Sequence, residues 1–183
     1  MRSIGAVALA AAFALLLGGC VPQSRPVQPK PSPSSSPIFA SDEEALAAAT
    51  KAYAAYLDME DEIAQDGGNN PDRLAPFVTP EQMVAERKAF TKLLESGKHQ
   101  LGSTSFRIAS LQQSDQNVDG RASVGAYICA DISAVSYSGG ASGITPTSVP
   151  KLIGIEAGFE GETPGSDQLL VARSVPWAGT GIC

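Results

Sequence analysis

The chain has 183 residues, enough for about one domain, and 13 Lys and Arg against 19 Asp and Glu leave a net charge of −6. Basic residues are scattered singly, which excludes counterion-release binding to nucleic acid and a polybasic hold on anionic lipid. The acidic runs Asp42-Glu43-Glu44 and Glu60-Asp61-Glu62 read as solvated helix faces.

In chain order, Arg2 supplies a positive start, and Ile4 to Gly19 is apolar or small throughout. That run is short for a membrane span, which needs about 20 apolar residues, and has the order of a secretory signal. Leu17-Gly18-Gly19-Cys20 resembles the lipobox of bacterial lipoproteins. The resemblance implies cleavage before Cys20, lipid on its thiol, and attachment to the membrane through that lipid; two or three acyl chains hold a protein where one does not. Residues 1–19 are then the signal peptide. Residues 20–40 are the lipidated cysteine and a tether rich in Pro and Ser, which forms neither helix nor sheet and reaches about 60 Å when extended.

Residues 41–183 are the expected globular domain. Ser41-Asp-Glu-Glu44 is a capping box, and Leu46, Ala49, Tyr53, Tyr56, Leu57 and Ile63 follow at helical spacing until Gly67-Gly68. A short helix is expected around Asp72 to Phe77. Thr79-Pro-Glu-Gln82 is a second capping box, and Met83, Arg87, Phe90 and Leu94 mark one face of the next helix, which stops at Gly97.

Beyond Gly97 the period becomes alternating. Ser103 to Gln112 alternates around Phe106, Ile108 and Ser110, and Asn117 to Gly120 makes the turn. Arg121 to Ser133 places Ala122, Val124, Ala126 and Ile128 on one face, with Ser123, Gly125, Tyr127, Cys129 and Asp131 on the other. Ser138 to Pro150 reads as a flexible Gly/Ser/Thr loop. Lys151 to Glu160 and Gln168 to Trp177 are the third and fourth strands, the last with Leu169, Val171, Arg173, Val175 and Trp177 aligned. Helices first and an antiparallel meander second make an α+β fold, with the long helix on the apolar face of the sheet.

With Cys20 lipidated, Cys129 and Cys183 are left as an even pair in an exported chain, so a disulfide between them is expected. His99 is the single histidine, follows a helix end, and cannot build a zinc site alone; no metal site and no cofactor is expected. The chain has no Gly-x-Ser-x-Gly elbow, phosphate loop, His-Glu-x-x-His or calcium loop.

The stretches ALAAATKAYAAYLDMEDEI, LAPFVTPEQMVAE, VGAYICADIS and VPWAGTGIC, in that order, resemble the nuclear-transport-factor-2-like (SnoaL-like, cystatin-superfamily) domains. The resemblance implies N-terminal helices, one of them long, packed on a curved four-stranded antiparallel sheet in a cone-like arrangement. Relatives such as ketosteroid isomerases use a carboxylate and polar donors inside the cone. Tyr53, Tyr56, Tyr127, Asp131 and Glu156 are the residues that could play those parts here. The bland reading of the same residues is structural tyrosines and solvated carboxylates. The function expected is a lipoprotein on the extracytoplasmic face of a bacterial cell membrane, acting as a non-catalytic binding or accessory module for an envelope protein or a small apolar ligand. The alternatives are a small isomerase, cyclase or dehydratase working through a pocket carboxylate, and a structural envelope protein.

Overall fold

The first helix, α1 (Asp42–Gln65), begins where its caps dictate. In the computed structural model, which describes residues 37–140 and 151–183, Ser41 Oγ accepts from the Glu44 amide at 3.3 Å. The Glu44 carboxylate reaches back to the Ala40 amide at 2.7 Å. Residues 1–36, with the expected signal peptide, Cys20 and most of the tether, lie outside the described residues, as does 141–150 of the expected loop. Phe39, just ahead of the cap, is buried in the core.

α1 stops at two left-handed glycines, Gly67 (φ 70°) and Gly68 (φ 86°), whose amides satisfy the carbonyls of Ala64 and Ile63. A Cβ at Gly68 would stand 2.4 Å from the Phe90 carbonyl oxygen of the next helix, so this glycine also sets how closely the two helices approach. Gly68→Ala is therefore expected to cost about 3 kcal/mol. Gly165→Ala, with a similar φ of 79° but nothing within 4 Å, should cost about 1 kcal/mol. Urea denaturation of the two variants checks the difference; equal losses would mean that backbone conformation alone is being measured.

A 3-10 helix, Pro71–Phe77, leads to α2 (Pro80–Ser96), which is capped by Thr79 and ended by Gly97 in the left-handed region. The second capping box is only half made. The Gln82 amide bonds Thr79 Oγ1 at 3.3 Å, but the Gln82 side chain turns forward to Glu86. The buried face of α2 is Met83, Glu86 and Phe90, rather than Met83, Arg87, Phe90 and Leu94. Arg87 is exposed and pairs with Asp72 at 2.7 Å, and Leu94 is half out in solvent.

The strands are β1 (Lys98–Leu101), β2 (Ser105–Gln116), β3 (Ala122–Asp131), β4 (Ser136–Gly139), β5 (Leu152–Gly161) and β6 (Leu169–Pro176). They form two antiparallel sheets: a four-stranded meander, β2-β3-β5-β6, and a two-stranded ribbon, β1-β4. The protein is thus α+β with three helices and two sheets, and the expected cone is not what these strands build. Neither sheet closes or curls strongly: β2 and β6 remain at opposite ends of their row, and the strands that could have continued the curl pair with each other in a separate ribbon.

β3 and β5 follow the expected alternation, with Val124, Ala126, Ile128, Ala157 and Phe159 buried beneath α1. β2 and β6 do not, because bulges shift their phase. Pairing steps from Ile108↔Ile128 to Ser110↔Tyr127, leaving Ala109 over, so the inward residues are Phe106, Ile108 and Leu111. In β6 the step from Gly158↔Arg173 to Phe159↔Val171 leaves Ala172 over. Leu169 and Val171 point inward, but beyond the bulge it is Ser174 that faces the helices.

Candidate functional site

Tyr53 of α1 sits at the centre of the core, edge-on to Phe106 at 4.9 Å and to Phe159 at 6.3 Å. From there toward the C-terminal end of α1, helix and sheet diverge around a cleft of about 840 Å3. Its apolar walls include Leu57, Phe90, Leu93, Ile153 and Ile155. Ala85 and Ala89 of α2 line it with small, exposed side chains that leave its mouth open.

Polar groups enter this cleft because α1 and α2 each present a glutamate among their apolar residues. Glu86 is 6% exposed and accepts two hydrogen bonds on Oε1, from the Tyr56 hydroxyl at 2.9 Å and from Gln82 Nε2 at 2.6 Å. Glu60, one turn beyond Tyr56, lies within reach of the same phenol and near Glu86 and Asp61. Burial, and then the Glu86 charge, push the Glu60 carboxyl up to about 8; the Tyr56 hydrogen bond opposes the shift and the Asp61 charge adds to it. At neutral pH Glu60 mostly keeps its proton. Burial and the same two glutamates raise the Tyr56 phenol well above the ordinary tyrosine range. Burial also pushes Tyr53 up to about 12, against a hydrogen bond from Ser174.

Asp61 has a different role. It is buried, and its oxygens accept from Gln100 Nε2 at 2.5 Å, the Thr104 amide at 2.7 Å and the Thr104 hydroxyl at 3.2 Å. These bonds fasten α1 to β1 and to the turn before β2. Three donors satisfy the oxygens of this buried side chain where it sits. The expectation that Glu60-Asp61-Glu62 is a solvated face therefore fails at two of its three residues: Glu60 is half-buried and Asp61 is buried.

Of the residues named from sequence, Tyr53 and Tyr56 line the cleft, whereas Tyr127, Asp131 and Glu156 lie on the opposite face of the sheet. Tyr127 packs edge-on against Trp177 at 4.8 Å. Glu156 faces Arg173 at 3.5 Å. Asp131 accepts from the Ser133 amide at 2.8 Å, which holds its carboxyl below the usual range. Neither Asp131 nor Glu156 can act as a base in the cleft. The carboxylates that can are Glu60 and Glu86, which sequence reasoning missed. Their one signal is register: Glu60 is four residues after Tyr56, and Glu86 is three after Met83 and four before Phe90.

On that opposite face the Cys129–Cys183 disulfide is formed and ties the C-terminus across β3, where Arg107 also donates to the Ile182 carbonyl at 3.3 Å. His99 is exposed at the end of α1, its Nδ1 3.3 Å from the Gln65 carbonyl. Among the described residues, no group of three or more His, Cys, Asp and Glu side chains is placed to hold a metal ion, and no helix is long and apolar enough to cross a membrane.

No protein-family profile matches the chain, and no curated protein sequence does. Its fold is similar to the intermembrane space region of the chloroplast protein ARC6, whose crystal structure aligns with a TM-score of 0.47 at 11% identity, over 73% of this chain and 97% of that one. The solution structure of a de novo designed β-sheet protein aligns with a TM-score of 0.28 at 14% identity, over 76% of this chain and 92% of that one. Neither likeness assigns the chain to a family or an activity.

Proposed function

We propose that this is an extracytoplasmic lipoprotein, anchored through Cys20, whose domain is a non-catalytic module that binds a small amphipathic molecule in the cleft between α1, α2 and the sheet. The cleft carries the proposal. About 840 Å3 is a ligand-sized volume, and apolar walls with a few converging polar groups are the usual makeup of a small-molecule site. The lipobox resemblance and the Cys129–Cys183 disulfide, a bond that persists in oxidising compartments, support the location.

The neutral apolar fluorophore N-phenyl-1-naphthylamine tests it. The protein should bind the dye, and Ala89→Trp, a substitution at an exposed position on the cleft wall, should weaken binding at least about tenfold while leaving the melting temperature nearly unchanged. Absence of binding, or binding indifferent to Ala89→Trp, would remove the proposal.

A second reading, an acid–base enzyme of isomerase or dehydratase type, is favoured by one observation. Glu60, which keeps its proton, and the Glu86 carboxylate, which accepts from the Tyr56 phenol, flank that phenol inside the cleft, the pairing of proton donor and acceptor that such chemistry uses. Its sign would be protein-catalysed exchange of the α-hydrogens of a cyclic ketone in heavy water, lost in Glu86→Gln.

A further inference from the structure

The ligand class can be taken further on the premise that the cleft is a binding site. We propose that it selects an organic ammonium ion carried on an aromatic or apolar body, with Glu60 and Glu86 as counter-ions.

The wall composition points that way. Among the described lining residues, three are carboxylic acids, Glu60, Asp61 and Glu86, and one is a cation, Lys98. The oxygens of Asp61 are already taken up by Gln100 and Thr104. Glu86 differs: it is more than nine-tenths buried, both of its donors end on Oε1, and Oε2 takes no hydrogen bond among the described residues. That oxygen is not sealed from solvent, so the site holds a carboxylate oxygen open to the cleft and able to accept from a ligand. Beside it is Glu60, which meets two like charges and keeps its proton. Lys98 is one cation against these three acids and, among the described residues, forms no ion pair with any of them; an ammonium ligand would add positive charge and several N–H donors. Tyr53, Tyr56 and Tyr137 line the same space. An anion would meet the charges of Asp61 and Glu86. A neutral alcohol could donate one hydrogen bond to Glu86 but would bring no charge to either glutamate.

The ammonium ion enters intact, the Glu60 O–H bond breaks, its proton leaves to solvent, and the ligand N–H groups take its place on the carboxylate. No other bond breaks. With Glu60 near 8 in the free protein, binding at pH 7 releases about 0.9 proton, and affinity rises with pH by up to about tenfold per unit between pH 6 and 8 before levelling. The titratable groups that act with Glu60 are Tyr53, Tyr56 and Asp61 on its own helix, Glu86 on α2 and Tyr137 on β4; Lys98 on β1 lines the same cleft.

The test uses three matched indoles on the full chain: tryptamine (cation), tryptophol (neutral) and indole-3-propionate (anion). Calorimetry from pH 6 to 9, in buffers of different ionisation heat, reads affinity and proton release together. Tryptamine should bind best, tighten toward pH 8 and release close to one proton at pH 6 to 7, falling to about half a proton at pH 8. In Glu60→Gln its affinity should fall at least about tenfold at pH 8 and lose its pH dependence, and in Glu86→Gln it should fall as well, with melting curves confirming that both variants fold. Tryptophol or indole-3-propionate binding as tightly as tryptamine, or a tryptamine affinity flat with pH, would overturn the inference. Failure of all three indoles while N-phenyl-1-naphthylamine still binds would overturn it too and leave the cleft reading standing. Failure of the dye as well would take both.

Discussion

Replacing Glu60 by glutamine is expected to make the protein more stable at alkaline pH. The native carboxyl titrates near 8, whereas the unfolded one titrates at its ordinary value of 4.5. Between those values the native state holds a proton that the unfolded chain has lost. Wild-type stability should therefore be fullest below pH 4.5 as far as this group is concerned, fall steadily as pH rises to about 8, and then level. The whole fall is on the order of 5 kcal/mol, or about 15 °C in melting temperature for a domain of this size. Glutamine has the shape of the protonated acid and no charge to bury. Glu60→Gln should match the wild type near pH 5 and exceed it by most of that amount at pH 9. Thermal melts at pH 5, 7 and 9 measure it. Wild-type and variant curves that run parallel across the range would show that Glu60 carries no raised pKa.

The second large effect concerns the other face of the sheet. Cys129 and Cys183 are 54 residues apart in sequence, and their bond holds the last residues against β3 beside the Tyr127–Trp177 pair. Opening a loop of this length restores about 4 kcal/mol of chain entropy to the unfolded state. Domains of this size are stable by about 5–15 kcal/mol. Reduction, or the double substitution Cys129→Ala with Cys183→Ala, should thus lower the urea midpoint by about a quarter or more of its value. A loss below about 1 kcal/mol would show that the tail is held without the bond. The cleft lies across the sheet from the disulfide, so ligand affinity well below the melting temperature should change little.

Much of this architecture was readable where one residue type has one job. Ser41, Thr79, Pro80, Gly67 and Gly97 mark helix ends through hydrogen bonds and backbone angles that few other residues supply, and both long helices begin and end there. The alternation of β3 and β5 placed their buried faces for the same reason. The site was harder to read. On α2 two faces compete, Met83-Arg87-Phe90-Leu94 and Met83-Glu86-Phe90-Leu93, and both fit helical spacing. Hydropathy cannot choose between them when each carries one charged residue, and tertiary packing chose Glu86. Glu60 was hidden by its neighbours in an acidic run that is otherwise an ordinary surface pattern. The bulges at Ala109 and Ala172 leave no mark in a single sequence, yet the second brings Ser174 rather than Arg173 to the cleft side. β1 and β4 are four residues each with no clear alternation, so the ribbon that completes the cleft with Gln100 and Tyr137 could not be foreseen. The order of helices and strands was legible from caps and periodicity, whereas the cone implied by the resemblance to nuclear-transport-factor-2-like domains did not form, because the short strands pair with each other.

The account depends on a carboxyl group that keeps its proton at neutral pH on the wall of an open, ligand-sized cleft. Carbon-13 NMR of the Glu60 side-chain carboxyl, followed from pH 4 to 10 and assigned by comparison with Glu60→Gln, reads that proton directly. The account predicts a midpoint of about 8. A midpoint at the ordinary carboxylate value would contradict it.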